Sequence, residues 1–221
     1  MIDGRPCLSY PAIRTAAPNE LIKDDSLDVG ATDGFVWIRL NGKGSFSTSP
    51  ALKGFVESRM EGGDTSFVID LLDCPAMDST FMGTLAGLAM RLSRIGGGRM
   101  HLNGVCDRNR QSLKDLGLEK LLEIDPDNSA WQGHVHDVRK TLSPLEGRDS
   151  EGLDAAHLLE AHRKLCEARE ENTQKFEAVL DALEKKADHD FFVWSVESHS
   201  VYRGRGFKCI DRHGFKEPDP F

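Results

Sequence analysis

Residues 67–85 read Phe67-Val-Ile-Asp-Leu-Leu-Asp-Cys-Pro-Ala-Met-Asp-Ser-Thr-Phe-Met-Gly-Thr-Leu85, and within this stretch one structural period gives way to another. Phe67 to Leu72 is a short apolar run rich in strand formers and closed by Asp73, Cys74 and Pro75, the composition of a buried strand. From Phe81 onward, Phe81, Leu85, Leu88, Leu92 and Ile95 recur at three- and four-residue intervals, which marks one face of a helix. Gly96-Gly97-Gly98 stops it. Asp78-Ser79-Thr80 therefore stands at a strand-to-helix corner, with two hydroxyls at a helix N-terminus. Ser79 is the expected N-cap, its oxygen taking a backbone N–H that the first turn leaves unpaired, and Thr80 then opens the helix.

Working outward, Phe35-Val-Trp-Ile-Arg-Leu40 predicts a strand, Asn41-Gly42 a turn and Ser45-Phe46-Ser47 a short return. Ser49-Pro50 opens a helix with Leu52, Phe55, Val56 and Met60 on its apolar side and Gly62-Gly63 at its end. Met100 to Val105 is a further strand, residues 112–122 form an amphipathic helix and turn, and residues 121–124 add a last short strand. Alternating strands and helices imply right-handed crossovers and a largely parallel central sheet.

Several features of this series, Val68-Ile69-Asp70-Leu71, Met77-Asp78-Ser79-Thr80, Gly83-Thr84-Leu85-Ala86-Gly87-Leu88-Ala89 with the three glycines, then Met100 to Val105 and Ser112 to Leu122, resemble the STAS domain of anti-sigma-factor antagonists. The resemblance spans about two-fifths of the chain. It implies an α/β fold, a mixed and largely parallel sheet with its helices mainly on one face, here carrying a C-terminal helical extension.

The resemblance also implies a function. In that family the hydroxyl after the Asp is the usual phosphorylation site, which carries over to Ser79, with Thr80 second. Asp78, with Asp70 and Asp73 as further nearby carboxylates, sets the field around it, and Phe81, Met82 and Thr84 are contact residues where they face outward. The family often has Gly where this chain has Phe81; members in large stress-sensing assemblies also carry a bulky residue there. The implied partners are an anti-sigma factor with serine kinase activity, bound by the unmodified domain, and a serine phosphatase that resets it. Phosphate adds about −1.5 to −2 charges and three acceptor oxygens, so the expected effect is release of a partner packed on the corner. Two alternatives stand beside this one: a STAS scaffold of a multi-protein assembly, and a small-ligand-binding module or enzyme.

The domain reading is a lead-in over 1–33, with an edge strand around Cys7 to Tyr10, a STAS domain over 34–125, a linker over 126–152, a helical extension over 153–187 and a tail over 188–221. The extension breaks near Asn172-Thr173. Leu158, Leu159, Leu165 and Cys166 share a face in its first piece, and Phe176, Val179, Leu180 and Leu183 share one in its second. Such faces need cover, from the domain, a sister helix or a second copy of the chain. In the tail, Phe191 to Val196 has strand-like composition, and the single Arg203-Gly204-Arg205-Gly206 copy carries no function.

The net charge of −8 argues against a nucleic-acid surface, which needs clustered Lys and Arg. No run approaches the ~20 apolar residues of a membrane span, and the N-terminus lacks signal-peptide regions, so a cytoplasmic location is expected. The five cysteines are scattered without Cys-x-x-Cys spacing and read as reduced thiols. No cofactor motif occurs. His157 and His162, five apart, would lie about 140° apart around a helix, a poor metal pair, and no His is near Ser79 in sequence to serve as its base.

Overall fold

The computed structural model describes residues 25–32, 34–145 and 155–197. Six strands, β1 (Ser26–Thr32), β2 (Phe35–Asn41), β3 (Ser66–Asp73), β4 (Arg99–Asn103), β5 (Glu123–Ile124) and β6 (Ser143–Pro144), lie in the order β5-β4-β3-β2-β1-β6. Neighbours from β2 through β5 run parallel, while β1 is antiparallel to both β2 and β6. The mixed sheet matches the expected fold class. Three helices, α1 (Ser49–Glu61), α2 (Ser79–Ser93) and α3 (Asp107–Asp115), connect the parallel strands and contribute to one core.

Strand alternation sorts the core. Phe67, Ile69 and Leu71 of β3 meet Leu52 and Val56 of α1 and Leu85 and Leu92 of α2 on the helical side, all fully or nearly fully buried. Val68 projects to the opposite side, where it joins Trp37, Trp131 and Val138. That second cluster corrects the linker reading for residues 126–145. A 3-10 turn at Gln132–His134, helix α4 (Val135–Thr141) and β6 carry this segment back across the sheet, and Trp131 packs edge-on against Trp37 with ring centroids 5.4 Å apart. Pro and charge in the sequence disguised it, because its apolar anchors are single residues without a period.

The lead-in reading also yields. Residues 26–32 are a full strand, and β1 takes the antiparallel place beside β2 that Ser45-Phe46-Ser47 was expected to fill. Residues 44–46 instead run against residues 76–78, with an isolated parallel bridge between Gly44 and Met77. The expected edge strand near Cys7 lies outside the described residues, as do residues 146–154 and the Arg-Gly segment.

Beyond α2 comes a helical hairpin. Helix α5 (Ala155–Ala168) and helix α6 (Glu171–Glu197) break close to the expected Asn172, whose buried side chain donates to the carbonyls of Leu116 and Leu165. The strand-like Phe191 to Val196 lies within α6: helical context overrides β propensity. Among the described residues no helix is long and apolar enough to cross a membrane, and no group of His, Cys, Asp or Glu could hold a metal ion. Cys74 and Cys166 are free, and Cys7 and Cys209 lie outside the described residues.

Candidate functional site at the start of helix α2

The corner is built by Asp78. Its backbone is extended (φ −90°, ψ 172°), and its Oδ1 accepts the Phe81 N–H at 2.8 Å, so Asp78 and not Ser79 caps α2. Its Oδ2 accepts the Phe46 N–H at 2.8 Å, and its own N–H donates to the Gly44 carbonyl at 2.8 Å. The approach to α1 is thereby tied to the start of α2. Both carboxylate oxygens are occupied by backbone donors.

Relieved of capping, Ser79 becomes the first residue of the helix, half-buried, and its hydroxyl finds a side chain far along the chain. Ser79 Oγ lies 3.0 Å from Nε2 of His162, a residue of α5. His162 Nδ1 lies 2.8 Å from the Leu158 carbonyl, which can only accept, so Nδ1 is the donor there and Nε2 faces the Ser79 hydroxyl. Phe176 of α6 meets the imidazole edge-on at 5.3 Å. A hydroxyl next to an imidazole is the start of a nucleophile–base pair, but here the outer nitrogen faces a backbone carbonyl. Among the described residues, the partner of that nitrogen is this carbonyl and not a carboxylate that would stabilise an imidazolium.

A second histidine repeats the pattern one turn away. His157 Nε2 is 2.8 Å from Ser49 Oγ at the start of α1 and 3.5 Å from Thr84 Oγ1. The two histidines, dismissed as a metal pair, thus pin α5 to the start of α1 and to α2 through hydroxyls. Between them, α5 crosses α2 at Gly83: a Cβ built there would stand 2.2 Å from the Ala161 carbonyl oxygen, so only glycine lets the two backbones meet. A salt bridge between Lys53 and Glu160 flanks the crossing. Helix α5 contacts α2 more extensively than any other helix does.

The remaining expected residues fall differently. Thr80 is buried, its carbonyl accepting the Thr84 hydroxyl at 2.9 Å. Phe81 is fully buried and lies so close to Gly44 that a Cβ there would meet its ring at 2.7 Å, so the bulky residue is a core anchor and not an outward contact. Met82 and Thr84 are buried as well. Asp70 shares the parity of Val68, not that of Ile69 and Leu71, so it points away from α2 and from the Ser79 hydroxyl. There it is bound at both oxygens by Arg139 of α4, at 2.6 and 2.8 Å, and by Asn103 at 3.0 Å. Asp73 pairs with Arg39.

Sequence reasoning missed His157, His162, Ser49 and Ala161. One signal was available: α2 carries no charged residue from Ser79 to Met90, although a helix with one covered face needs charge or polarity on the other.

Residues 26–130 match the family model of the STAS domain. Among solved structures, it is similar to a putative anti-sigma factor antagonist from Thermotoga maritima (18% identity, TM-score 0.43, covering 51% of this chain and 94% of that one). It is also similar to an anti-sigma factor antagonist from Mycobacterium paratuberculosis (22% identity, TM-score 0.42, covering 52% and 95%). A third is the Bacillus cell fate determinant SpoIIAA in its phosphorylated form (20% identity, TM-score 0.40, covering 52% and 100%). No curated protein sequence matches the chain.

Proposed function

We propose that this STAS-domain protein is an anti-sigma factor antagonist that works by partner switching. In this reading the unmodified chain binds an anti-sigma factor with serine kinase activity, phosphorylation of Ser79 ends the complex, and a serine phosphatase restores it. The chain acts in the cytoplasm as a regulatory module without catalysis of its own. The supporting observation is the hydroxyl at the helix start: with Asp78 capping α2, the half-buried Ser79 directs its Oγ to the His162 ring and not to the helix backbone. Ser79 is the acceptor, and buried Thr80 is not.

Electrostatics supports release. The α2 N-terminus favours a new anion by about 0.3–1 kcal/mol at an exposed site, so the domain keeps its fold. A partner packed over the corner would desolvate that dianion beside Asp78. A hundredfold loss of affinity requires about 2.8 kcal/mol, within the range of one buried uncompensated charge.

The test is phosphorylation by a lysate of the native host with labelled ATP, followed by phosphopeptide mapping, and capture of partners on Ser79→Ala and Ser79→Asp baits. Label confined to Ser79, with a kinase retained by the Ala bait alone, is the expected result. Equal labelling of the Ser79→Ala chain would refute the assignment.

A further inference from the structure

Helices α2 and α5 touch at one level and part at the next. At Gly83 their backbones are in contact, the Ala161 carbonyl oxygen standing 2.2 Å from where a Cβ would be. Gly87 lies four residues on, over Gly83 on the same face of α2, and the nearest atom to a Cβ there is Cγ of the flexible Lys164 side chain at 3.1 Å. With no side chain at either position to fill the space, a cavity of about 200 Å³ opens between α1, α2 and α5. Glycine inside a helix and an unfilled cavity each cost stability, and a larger side chain at 87 that moved the Lys164 stem aside would relieve both.

The walls are polar and their charge is one-sided. Two buried polar side chains, Thr84 and His157, line the depth of the cavity, with His157 Nε2 3.5 Å from Thr84 Oγ1. Around them Lys53, Arg91, Arg94 and Lys164 stand against two carboxylates, Glu57 and Glu160. Both carboxylates are taken. Glu160 pairs with Lys53, which joins α5 to α1, and Glu57 pairs with Arg91 at 2.8 Å, which joins α1 to α2. Among the described residues Arg94 makes no ion pair, and Lys164 pairs with the exposed Glu167 of its own helix at 2.8 Å, a solvated contact that an arriving anion can replace. A chain of net charge −8 thus holds one concave site with an excess of two positive charges, which attracts small anions.

We infer that this cavity binds a compact metabolite with a dianionic head, either a phosphate monoester or a dicarboxylate. Arg94 and Lys164 are the charges left to meet the head, and Thr84 and His157 are the groups that a hydroxyl deeper in the cavity can reach. At about 30 Å³ per liquid water the space holds about seven waters, which suits a ligand of about three to five carbons and does not enclose a nucleotide or a peptide. Such a ligand touches α1, α2 and α5 together, so it fastens the C-terminal hairpin to the domain and stabilises the folded chain by mass action. Its binding requires no phosphate on Ser79 and no protein partner.

Amide ¹H–¹⁵N NMR of the full chain tests this, in separate titrations with glycerol 3-phosphate, malonate and glycerol. At least one of the two anions should shift the amides of Gly83, Thr84, Gly87 and Lys164 along a saturating curve with a Kd below about 1 mM, and glycerol should not. The anion that saturates at the lower concentration assigns the head as phosphate or as carboxylate. Arg94→Gln combined with Lys164→Gln should weaken binding at least about tenfold, whereas Lys175→Gln with Lys186→Gln, which removes the same charge from exposed positions of α6, should leave it within about twofold. If the first pair of substitutions disturbs the β3 and β4 resonances, Arg94→Gln alone, at the exposed end of α2, replaces it, with a loss of at least about threefold expected and parent-like binding counting against the site. No saturable shift with either anion up to about 10 mM, equal shifts with glycerol, or equal weakening by the two double variants overturns the proposal.

Discussion

At the scale of single residues, the corner divides labour between two adjacent side chains. Asp78 holds the backbone of two segments and Ser79 holds none, so their substitutions should separate. Asp78→Ala removes a helix cap and leaves the Phe46 N–H without its partner, a loss of about 1–2 kcal/mol that urea unfolding would register. Ser79→Ala should cost about 1 kcal/mol or less, from the unfilled lone pair on His162, and should leave the midpoint of β-sheet unfolding close to the parent's. If the two variants are equally destabilised, Ser79 has a structural duty that the geometry does not assign to it. The Asp-Ser order was legible in sequence, but which of the two would cap was not. Both residue types cap well, and the choice turned on Asp78 having a second backbone donor, Phe46, within reach of its other oxygen.

At the scale of elements, α4 and its preceding turn are the part of the molecule that sequence periodicity concealed. The segment is fastened by Arg139 on Asp70, a fully buried carboxylate. Burial of the guanidinium opposes its charge, yet the Asp70 hydrogen bonds outweigh this and raise the Arg139 pKa. Arg139→Ala would strand Asp70 in the core, and a loss of about 3–5 kcal/mol is expected in equilibrium unfolding. The same side of the sheet contains His101 on β4, buried against Phe35 and Trp131 with Glu123 3.1 Å from its Nδ1. Desolvation lowers its pKa below 6.5, although Glu123 pulls the other way. With the folded value depressed, the unfolded chain binds more protons, so this contribution to stability is complete above pH 6.5 and is lost as pH falls through the folded value. His101→Gln should flatten that part of the stability–pH curve; an unchanged slope would mean that other groups carry it.

For the whole molecule, the hairpin of α5 and α6 is an integral layer, since Leu165 and Phe176 join the main core. A chain truncated after Leu145 should therefore expose Gly83, Thr84 and Leu88 along α2, bind a hydrophobic dye more strongly and melt at a lower temperature than the full chain. Equal dye binding would show that α5 does not cover α2 in solution. Residue periods and turn signals by themselves determined the alternating elements from β2 to β5, the break between α5 and α6, and the place of Ser79 at a helix start, because these depend on local spacing within a dozen or so residues. Only the tertiary structure decided that β1 and not residues 45–47 flanks β2, that Asp70 faces away from the corner, and that His162 meets Ser79 across 83 positions of chain. Those facts depend on which surfaces come together, and α2's uncharged second face declared that something would cover it without naming α5 as the cover.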